Sequence, residues 1–335
     1  MLQNFVLKNN SSTNGKGGRR EAGIFLVHSF KFERDTATSK NIAIIMIINF
    51  SKPVSFLDVL YTNFTTLAKV LKFLETYPDI LINLANAEKV LLRGNPSSIC
   101  QLGLAPHAPY SVSPDLFRSI GQLAQQYHCP VSCHVAEIKE EGRFLVLGDD
   151  SLEGLLKERS AWDPKWQPPY KSPMQYLSSL GILDRLIAVH CNFVSDDLAL
   201  MAEKKVGAVF CPQSSEWFGR TNLMPVRALL DRGITVALGT DSLASSNSLN
   251  FLDELRMADK LLPDVSRKEI LAMATRGGAE ALGLQCGVLA PGKKADLIGF
   301  RVSKAYSGSW WDVPFESHRR EVDFYSMDEN SYGFC

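Results

Sequence analysis

The sequence has no excess of charge of either sign, because 36 basic residues balance 36 acidic residues. Nucleic acids and anionic membrane surfaces normally bind proteins that carry a basic excess, so neither is expected as a partner. The most apolar run, Ile42–Phe50, is only about half of the roughly 20 residues that cross a bilayer. No secretory signal is recognisable. The sequence therefore predicts a soluble, cytoplasmic protein.

Cysteine pairs of the Cys-x-x-Cys type are also lacking, although the chain has seven cysteines. An odd, scattered set of cysteines is typical of reduced thiols in a cytosolic protein, not of a disulfide framework. What the chain does have is 45% hydrophobic residues over a length of 335. This is enough to bury one large core, and α/β barrels of this size often form one domain.

Apolar segments alternate with helical patterns in the second half of the chain. Strands are predicted at Leu186–Val189, Val206–Phe210 and Ile234–Leu238, and helices between them at Asp196–Lys204 and Leu223–Asp231. Continuous apolar strands that alternate with amphipathic helices indicate βα units around a parallel sheet. The fold class predicted from this pattern is α/β.

The pattern extends in both directions from these units. Further strands are predicted at Ile99–Leu104 and Pro130–Val135, and further helices at Met174–Leu180, Leu249–Leu261 and Arg267–Leu282. The run Ile42–Phe50 could be a strand or a buried helix. Residues Gly142–Ser172 are predicted to form a long loop, and aromatic loops of this kind often line the mouth of a barrel site.

Polar side chains stand at the ends of three of the predicted strands, namely His134, His190 and Asp241. The carboxyl ends of parallel strands carry the chemistry of (β/α) barrels. Imidazole and carboxylate ligands suit zinc or iron, and a bound metal lowers the pKa of a water molecule so that hydroxide forms. Glu137, three residues beyond His134, is placed to act as a general acid.

Each of these residues has a plainer interpretation when it is taken alone. A single histidine at a strand end is more often a hydrogen-bonded structural residue, and Asp241 could cap a helix or a turn. Glu137 alone would be a solvated surface charge. The joint arrangement at the strand ends favours the metal hypothesis.

Four motifs, in this order along the chain, resemble the amidohydrolase superfamily. They are Ala105-Pro106-His107-Ala108-Pro109-Tyr110, His134-Val135-Ala136-Glu137, Val189-His190-Cys191 and Gly239-Thr240-Asp241-Ser242. The pattern is similar to the deaminase and chlorohydrolase branch, which includes adenosine, S-adenosylhomocysteine and aminodeoxyfutalosine deaminases. The resemblance implies a (β/α)8 TIM barrel with one divalent metal, zinc or alternatively iron. It also implies hydrolytic removal of ammonia from a purine-like base or nucleoside.

The resemblance assigns a role to each motif residue. His134 and Asp241 would bind the metal, and Asp241 would also accept a proton from the attacking water. Glu137 would carry protons to the ring nitrogen and the leaving amine. His190 would orient the attacking hydroxide, and His107 would contact the substrate.

Three further residues are predicted to bind substrate, namely Trp162, Gln213 and Ser242. Trp162 belongs to the aromatic loop, which resembles the aminodeoxyfutalosine subgroup, although ordinary loop packing is the alternative. Gln213 stands in Cys211–Ser215, where that subgroup tends to have arginine. Glutamine can donate hydrogen bonds but supplies neither the charge nor the forked geometry of arginine, so the exact substrate stays open.

The family's first strand carries His-x-His, and none of the six histidines in this sequence lie two residues apart. The expected architecture is therefore a barrel over residues 21–286 that is incomplete at its first strand. An atypical tail is expected over residues 1–20, and a segment that returns to a small β-sandwich is expected over residues 287–335.

The alternatives to a deaminase are a chlorohydrolase-type hydrolase and a catalytically impaired fragment. A homo-oligomer is compatible with the resemblance.

Overall fold

The structure is a computed structural model that describes residues 42–48, 100–158, 162–242, 244–248 and 250–291, together with short segments between residues 297 and 332. The predicted tail over residues 1–20, and residues 21–41 and 49–99 of the predicted barrel, lie outside the described residues.

In the part of the chain that the structure describes, six strands form the main sheet and are hydrogen-bonded in chain order. They are β1 (Ile42–Ile48), β2 (Cys100–Pro106), β3 (Val131–Val135), β4 (Leu186–His190), β5 (Gly207–Phe210) and β6 (Val236–Leu238). Strands β2 to β6 pair in parallel, which confirms the predicted parallel sheet. Strand β1 lies within the apolar run Ile42–Phe50, so the strand alternative for that run is confirmed. Unlike the other strands, β1 pairs with its neighbour β2 in the antiparallel direction.

Helices connect the parallel strands along the chain and also follow the last of them. They are α1 (Pro114–Gln126), α2 (Lys139–Leu147), α3 (Glu153–Glu158), α4 (Pro173–Ser179), α5 (Leu198–Glu203), α6 (Pro212–Trp217), α7 (Val226–Asp231), α8 (Phe251–Leu261), α9 (Arg267–Ala272) and α10 (Gly278–Ala281). Short 3-10 turns at Leu183–Arg185 and Ser195–Asp197 precede β4 and α5. A third 3-10 segment, Trp310–Phe315, follows the main sheet.

Helix α1 shows how local sequence sets these boundaries. The Ser113 hydroxyl accepts a hydrogen bond from the Leu116 N–H at 3.3 Å, and Pro114 occupies the first turn. Both features favour a helix start, since serine satisfies a free amide and proline needs none. The inner face of α1, which includes Phe117 and Ile120, is buried.

The prediction of a loop over Gly142–Ser172 is wrong for two stretches. Residues 142–147 belong to α2, and α3 lies within the same interval. Apolar residues in these two stretches have helical spacing. The prediction missed this spacing because of the tryptophans and prolines elsewhere in the interval. Phe144 and Leu145 on α2, and Leu156 on α3, are buried in the main core.

The single helix predicted over Arg267–Leu282 is interrupted by a π-helical turn, Met273–Gly277, between α9 and α10. A Cβ atom on Gly277 would overlap the backbone carbonyl of Val236 in β6. This close approach of helix and sheet requires glycine. The π turn, a rare interruption of an α-helix, lies at the same place.

Strand β4 lies between β3 and β5, and all five of its residues are buried. A strand covered on both faces is apolar at every position, so it shows no alternation of polar and apolar residues. Burial on both faces explains the continuous apolar run Leu186–Val189 in β4, which is followed by His190 at the end of the strand.

A second sheet of three antiparallel strands follows the main one along the chain. It contains β7 (Leu297–Gly299), β8 (Phe324–Met327) and β9 (Asn330–Tyr332). The predicted return to a β-sandwich over residues 287–335 stays a prediction. No helix among the described residues is long and apolar enough to cross a membrane.

The close contact between Gly277 and β6 leads to a prediction about stability. We expect Gly277→Ala to lower the free energy of unfolding by about 1–3 kcal/mol or more, because backbone atoms must shift to admit the methyl group. Gly154→Ala is the matched control, since a Cβ there meets nothing within 4 Å. Urea denaturation checks both variants, and equal stability of the two would contradict the packing described here.

Candidate metal and active site

Three parallel strands bring the predicted metal ligands to one edge of the sheet. His134 lies in β3, His190 ends β4, and Asp241 follows β6. In the parallel register Val135 is paired with His190, so β3 and β4 end side by side. The carboxyl ends of parallel strands therefore converge on this site.

The ligand atoms of His134, His190 and Asp241 all lie within 4.8 Å of one another. His190 is 3% exposed, and the centroids of the two imidazole rings are 5.2 Å apart. Burial, and then the neighbouring His190, lower the pKa of His134, which favours its neutral form. Neutral imidazole is the form that binds metals, so the donor set fits a divalent cation such as zinc or iron.

Asp241 is kept ionised by its surroundings. Burial acts to raise the pKa of Asp241, but His190 and the hydroxyls of Ser245 and Ser214 together lower it below its ordinary value. Both hydroxyls donate to Oδ2, each at 2.7 Å. A carboxylate with two such donors is oriented as well as charged, as the carboxylate ligands of metals commonly are.

The backbone at these strand ends adopts an uncommon conformation. Ala136, His190, Cys191 and Asp241 have φ angles of 50°, 73°, 47° and 56°. L-residues with side chains rarely occupy this left-handed region, and such residues cluster at functional sites. The strand ends are therefore held in place by specific contacts.

Glu137 stands beside the three-residue cluster. Its Oε1 lies 3.8 Å from His190 Nε2, and Arg220 Nη2 donates to the same oxygen at 2.5 Å. Asn192 Nδ2 donates to the Glu137 carbonyl at 3.0 Å, and Arg220 Nη1 does so at 3.4 Å. Glu137 is thus a paired, partly buried carboxylate with a side-chain exposure of 22%.

His107 joins the same cluster. Its ring packs edge-on against His134 with centroids 5.4 Å apart, and its Nδ1 lies 2.6 Å from the Ser111 hydroxyl. The His107 carbonyl accepts a hydrogen bond from the His134 N–H at 3.0 Å. The structure therefore brings together five of the predicted site residues, which are His107, His134, Glu137, His190 and Asp241.

The other three predicted residues make internal contacts. Gln213 Nε2 donates to Glu254 at 2.8 Å and to the Ser248 carbonyl at 3.2 Å. The Ser242 hydroxyl accepts a hydrogen bond from the Ala244 N–H at 3.2 Å. Trp162 packs with Trp166 and Phe144 at ring-centroid distances of 6.1 and 6.4 Å. Their roles in substrate binding stay predictions.

Several residues of the site were missed by the sequence analysis. Arg220 and Asn192 contact Glu137, and Ser214 and Ser245 donate to Asp241. Asn192 lies two residues beyond His190, so its position after a strand end was a usable signal. Arg220 and Glu137 are 83 positions apart in the sequence, and no local pattern indicates a contact between them.

Two fully buried glutamates support the site from behind. Glu141 accepts hydrogen bonds from the N–H groups of Ala136 and Glu137, and Glu254 accepts from the N–H and the side chain of Gln213. Burial raises the pKa of Glu141 to about 8 and that of Glu254 to about 7, although these hydrogen bonds oppose the shift. Both glutamates hold backbone next to the cluster.

The chain matches the amidohydrolase family over residues 74–312. This is well over half of its length, and the chain belongs to the amidohydrolase family. The resemblance predicted from the four motifs is thereby confirmed.

Relatives with named activities match more than half of the chain. A 5-methylthioadenosine/S-adenosylhomocysteine deaminase of Halothermothrix orenii is 36% identical over 215 residues, which cover 61% of this chain and 45% of the relative. A 5'-deoxyadenosine deaminase of Methanothermobacter thermautotrophicus is 30% identical over 223 residues, which cover 64% and 47%. The chain spans about half the length of these curated relatives.

Solved structures show the same fold. An adenosine deaminase from Xanthomonas campestris with bound zinc superposes with a TM-score of 0.63 and 27% identity, over 76% of this chain and 56% of that one. The atrazine chlorohydrolase TrzN from Arthrobacter aurescens, also complexed with zinc, gives a TM-score of 0.61 and 23% identity, over 76% and 56%. The second likeness concerns the fold alone.

The raised pKa of Glu254 leads to a prediction about pH and stability. Its pKa is about 7 in the folded chain against an ordinary value of 4.5, so its contribution to stability is full below the ordinary value and is lost as pH rises through 7. Glu254→Gln cannot ionise and escapes this loss. Relative to the parent chain, the variant should gain up to about 3 kcal/mol of unfolding free energy between about pH 5 and about pH 8.

Urea denaturation of both chains at several pH values, without added metal, checks this expectation. Exposed Glu203→Gln serves as the control and should change little with pH relative to the parent. If the difference in unfolding free energy between Glu254→Gln and the parent stayed constant over this pH range, Glu254 would be ionised throughout the range in the folded chain, and the prediction would be wrong.

Proposed function

We propose that this chain carries the site of a metal-dependent hydrolase that removes ammonia from an aminated purine-like base or nucleoside. The observation that carries the proposal is the position of Glu137. Its carboxyl lies beside His190 and next to a three-residue donor cluster. A general acid beside a cation site is what hydrolytic deamination requires. The deaminase names of the relatives support the same reaction.

The proposed architecture around this site is a (β/α)8 TIM barrel of amidohydrolase type, with residues 287–335 contributing to a small β-sandwich. The five parallel strands β2 to β6 and the fold of the Xanthomonas campestris deaminase support it. The barrel is proposed to be incomplete at its first strand, since the sequence has no His-x-His.

His134 and Asp241 would hold the cation, for which we propose zinc with iron as the alternative, and His190 completes the donor cluster. When bound, a divalent cation lowers the pKa of a water molecule toward neutrality. Asp241 is ionised, and it would accept a proton from the attacking water. The buried imidazole of His190 orients the attacking oxygen.

Glu137 moves the remaining protons. The Glu137 carboxyl gives its proton to the ring nitrogen as the carbon–oxygen bond forms. The resulting carboxylate takes the remaining proton of the added hydroxyl as the carbonyl forms and passes it to the amine, which leaves as ammonia when the carbon–nitrogen bond breaks. The proton that Asp241 accepted then restores the Glu137 carboxyl. Arg220 and Asn192 hold the Glu137 side chain and carbonyl in place. His107, which packs against His134, is proposed to contact the heterocycle, with Trp162, Gln213 and Ser242 contributing further substrate contacts.

Two other proposals are weaker. A chlorohydrolase would fit the same fold, but the TrzN likeness at 23% identity concerns the fold alone, and a proton donor at Glu137 suits an amine leaving group better. A catalytically impaired chain is consistent with the lack of His-x-His. A homo-oligomer and a cytoplasmic location remain proposals made from the sequence.

The role of Glu137 predicts the effect of its replacement. We expect Glu137→Gln to reduce ammonia release from purine nucleosides by about 100- to 10,000-fold, because the amide cannot transfer protons. The metal content should be unchanged, since Glu137 is outside the donor cluster. Exposed Glu203→Gln is the control for loss of one carboxylate. Full activity of Glu137→Gln would refute the assigned role.

The cation site makes a separate prediction that needs no substrate. Asp241→Asn should weaken zinc binding by more than about 10-fold, since even the residues behind metal ligands are worth about that much. Competition with a chromophoric chelator measures the affinity, and Asp231→Asn, at an exposed position, is the control. Equal affinity of Asp241→Asn and the parent chain would exclude Asp241 as a ligand.

A further inference from the structure

Helix α2 places a fully buried glutamate behind the strand end that carries Glu137. Glu141 is 0% exposed. Its Oε1 accepts a hydrogen bond from the Ala136 N–H at 3.0 Å, and its Oε2 accepts one from the Glu137 N–H at 3.2 Å. One carboxyl group therefore binds two successive amides, one with each oxygen.

These contacts extend beyond the capping of the helix itself. Glu141 is the third residue of α2, and Ile138 is its N-cap. A glutamate at this position commonly reaches back to the N-cap amide. Here both oxygens reach past Ile138 to the two residues before it, so the side chain ties the helix to the end of β3.

The segment bound by Glu141 needs such support. Ala136 has a φ of 50°, a conformation that residues with a Cβ rarely adopt. The same segment is held from its other side, since Ala136 O accepts the Phe193 N–H at 3.1 Å and Glu137 O accepts Asn192 Nδ2 at 3.0 Å. Two buried amides without an acceptor would each carry a desolvation cost, so loss of Glu141 favours a different backbone path.

We propose that Glu141 is a positioning residue that clamps the Ala136–Glu137 segment and so aims the Glu137 carboxyl at the reacting nitrogen. The inference rests on the function proposed above. The Glu141 carboxyl binds the Ala136 and Glu137 N–H groups, so it acts through the backbone that bears the proton donor. Because a displacement of about 1 Å can cost about 100-fold in rate, the clamp affects turnover more than binding.

The test compares Glu141→Leu, which removes both acceptors, with Glu141→Gln, which keeps one. The control is Glu140→Gln at the preceding residue. It removes a carboxyl group from the same helical turn and leaves both Glu141 hydrogen bonds in place. Three quantities are measured on the full chain, namely steady-state kcat and KM, zinc content, and hydrogen–deuterium exchange of peptides that contain Ala136 and Glu137.

We expect Glu141→Leu to lower kcat by about 10- to 100-fold while KM changes little. The zinc content should stay at the parent level, and exchange at Ala136 and Glu137 should become faster. Glu141→Gln should give a smaller loss in kcat and a smaller rise in exchange, and Glu140→Gln should match the parent. If Glu141→Leu does not fold, Glu141→Gln decides the matter by the same criteria.

An unchanged kcat or unchanged exchange in a folded Glu141 variant would overturn the proposal, and so would a loss of zinc that accounts for the fall in rate. If the parent chain releases no ammonia, the proposed function fails. The clamp is then judged by amide exchange alone, where faster exchange in Glu141→Gln supports it and parent-like exchange refutes it.

Discussion

Parallel pairing of β3, β4, β5 and β6 is the constraint on which the site depends. A parallel register makes neighbouring strands end at the same edge, so residues that are far apart in sequence meet there. His134 and Asp241 are 107 positions apart by their numbers, yet their ligand atoms lie within 4.8 Å of each other and of His190. A shift of one residue in β3 or β4 would turn its histidine to the other face of the sheet.

Burial of the polar groups at this edge of the sheet costs free energy, and specific hydrogen bonds or ion pairs compensate each of them. Asp241 accepts two serine hydroxyls, Glu137 is paired with Arg220, and Glu141 and Glu254 each accept two N–H groups from the segments that bear site residues. These contacts satisfy buried acceptors and at the same time fix side chains whose backbone is strained. Stability and orientation of the site therefore depend on the same hydrogen bonds.

Local sequence signals were sufficient for much of the fold. The apolar runs at β4, β5 and β6 and the Ser113-Pro114 start of α1 correspond to observed elements. The main error was the loop predicted over residues 142–172, where Phe144, Leu145 and Leu156 bury helical faces between glycines, tryptophans and prolines. The π turn at Gly277 was also missed, because its cause is a carbonyl of β6 that no local pattern contains.

The resemblance to the amidohydrolase superfamily added His107 and Glu137 to the predicted site, whereas the sequence by itself predicted that His134, His190 and Asp241 lie together at strand ends. This was possible because strand ends are marked locally by a change from apolar to polar residues. Only the tertiary structure decided what surrounds them. Arg220, Ser214, Glu141 and Glu254 act through side-chain hydrogen bonds that span from 4 to 83 positions along the chain. Such contacts follow from how helices pack on the sheet, and side-chain spacing in the sequence carries no record of them.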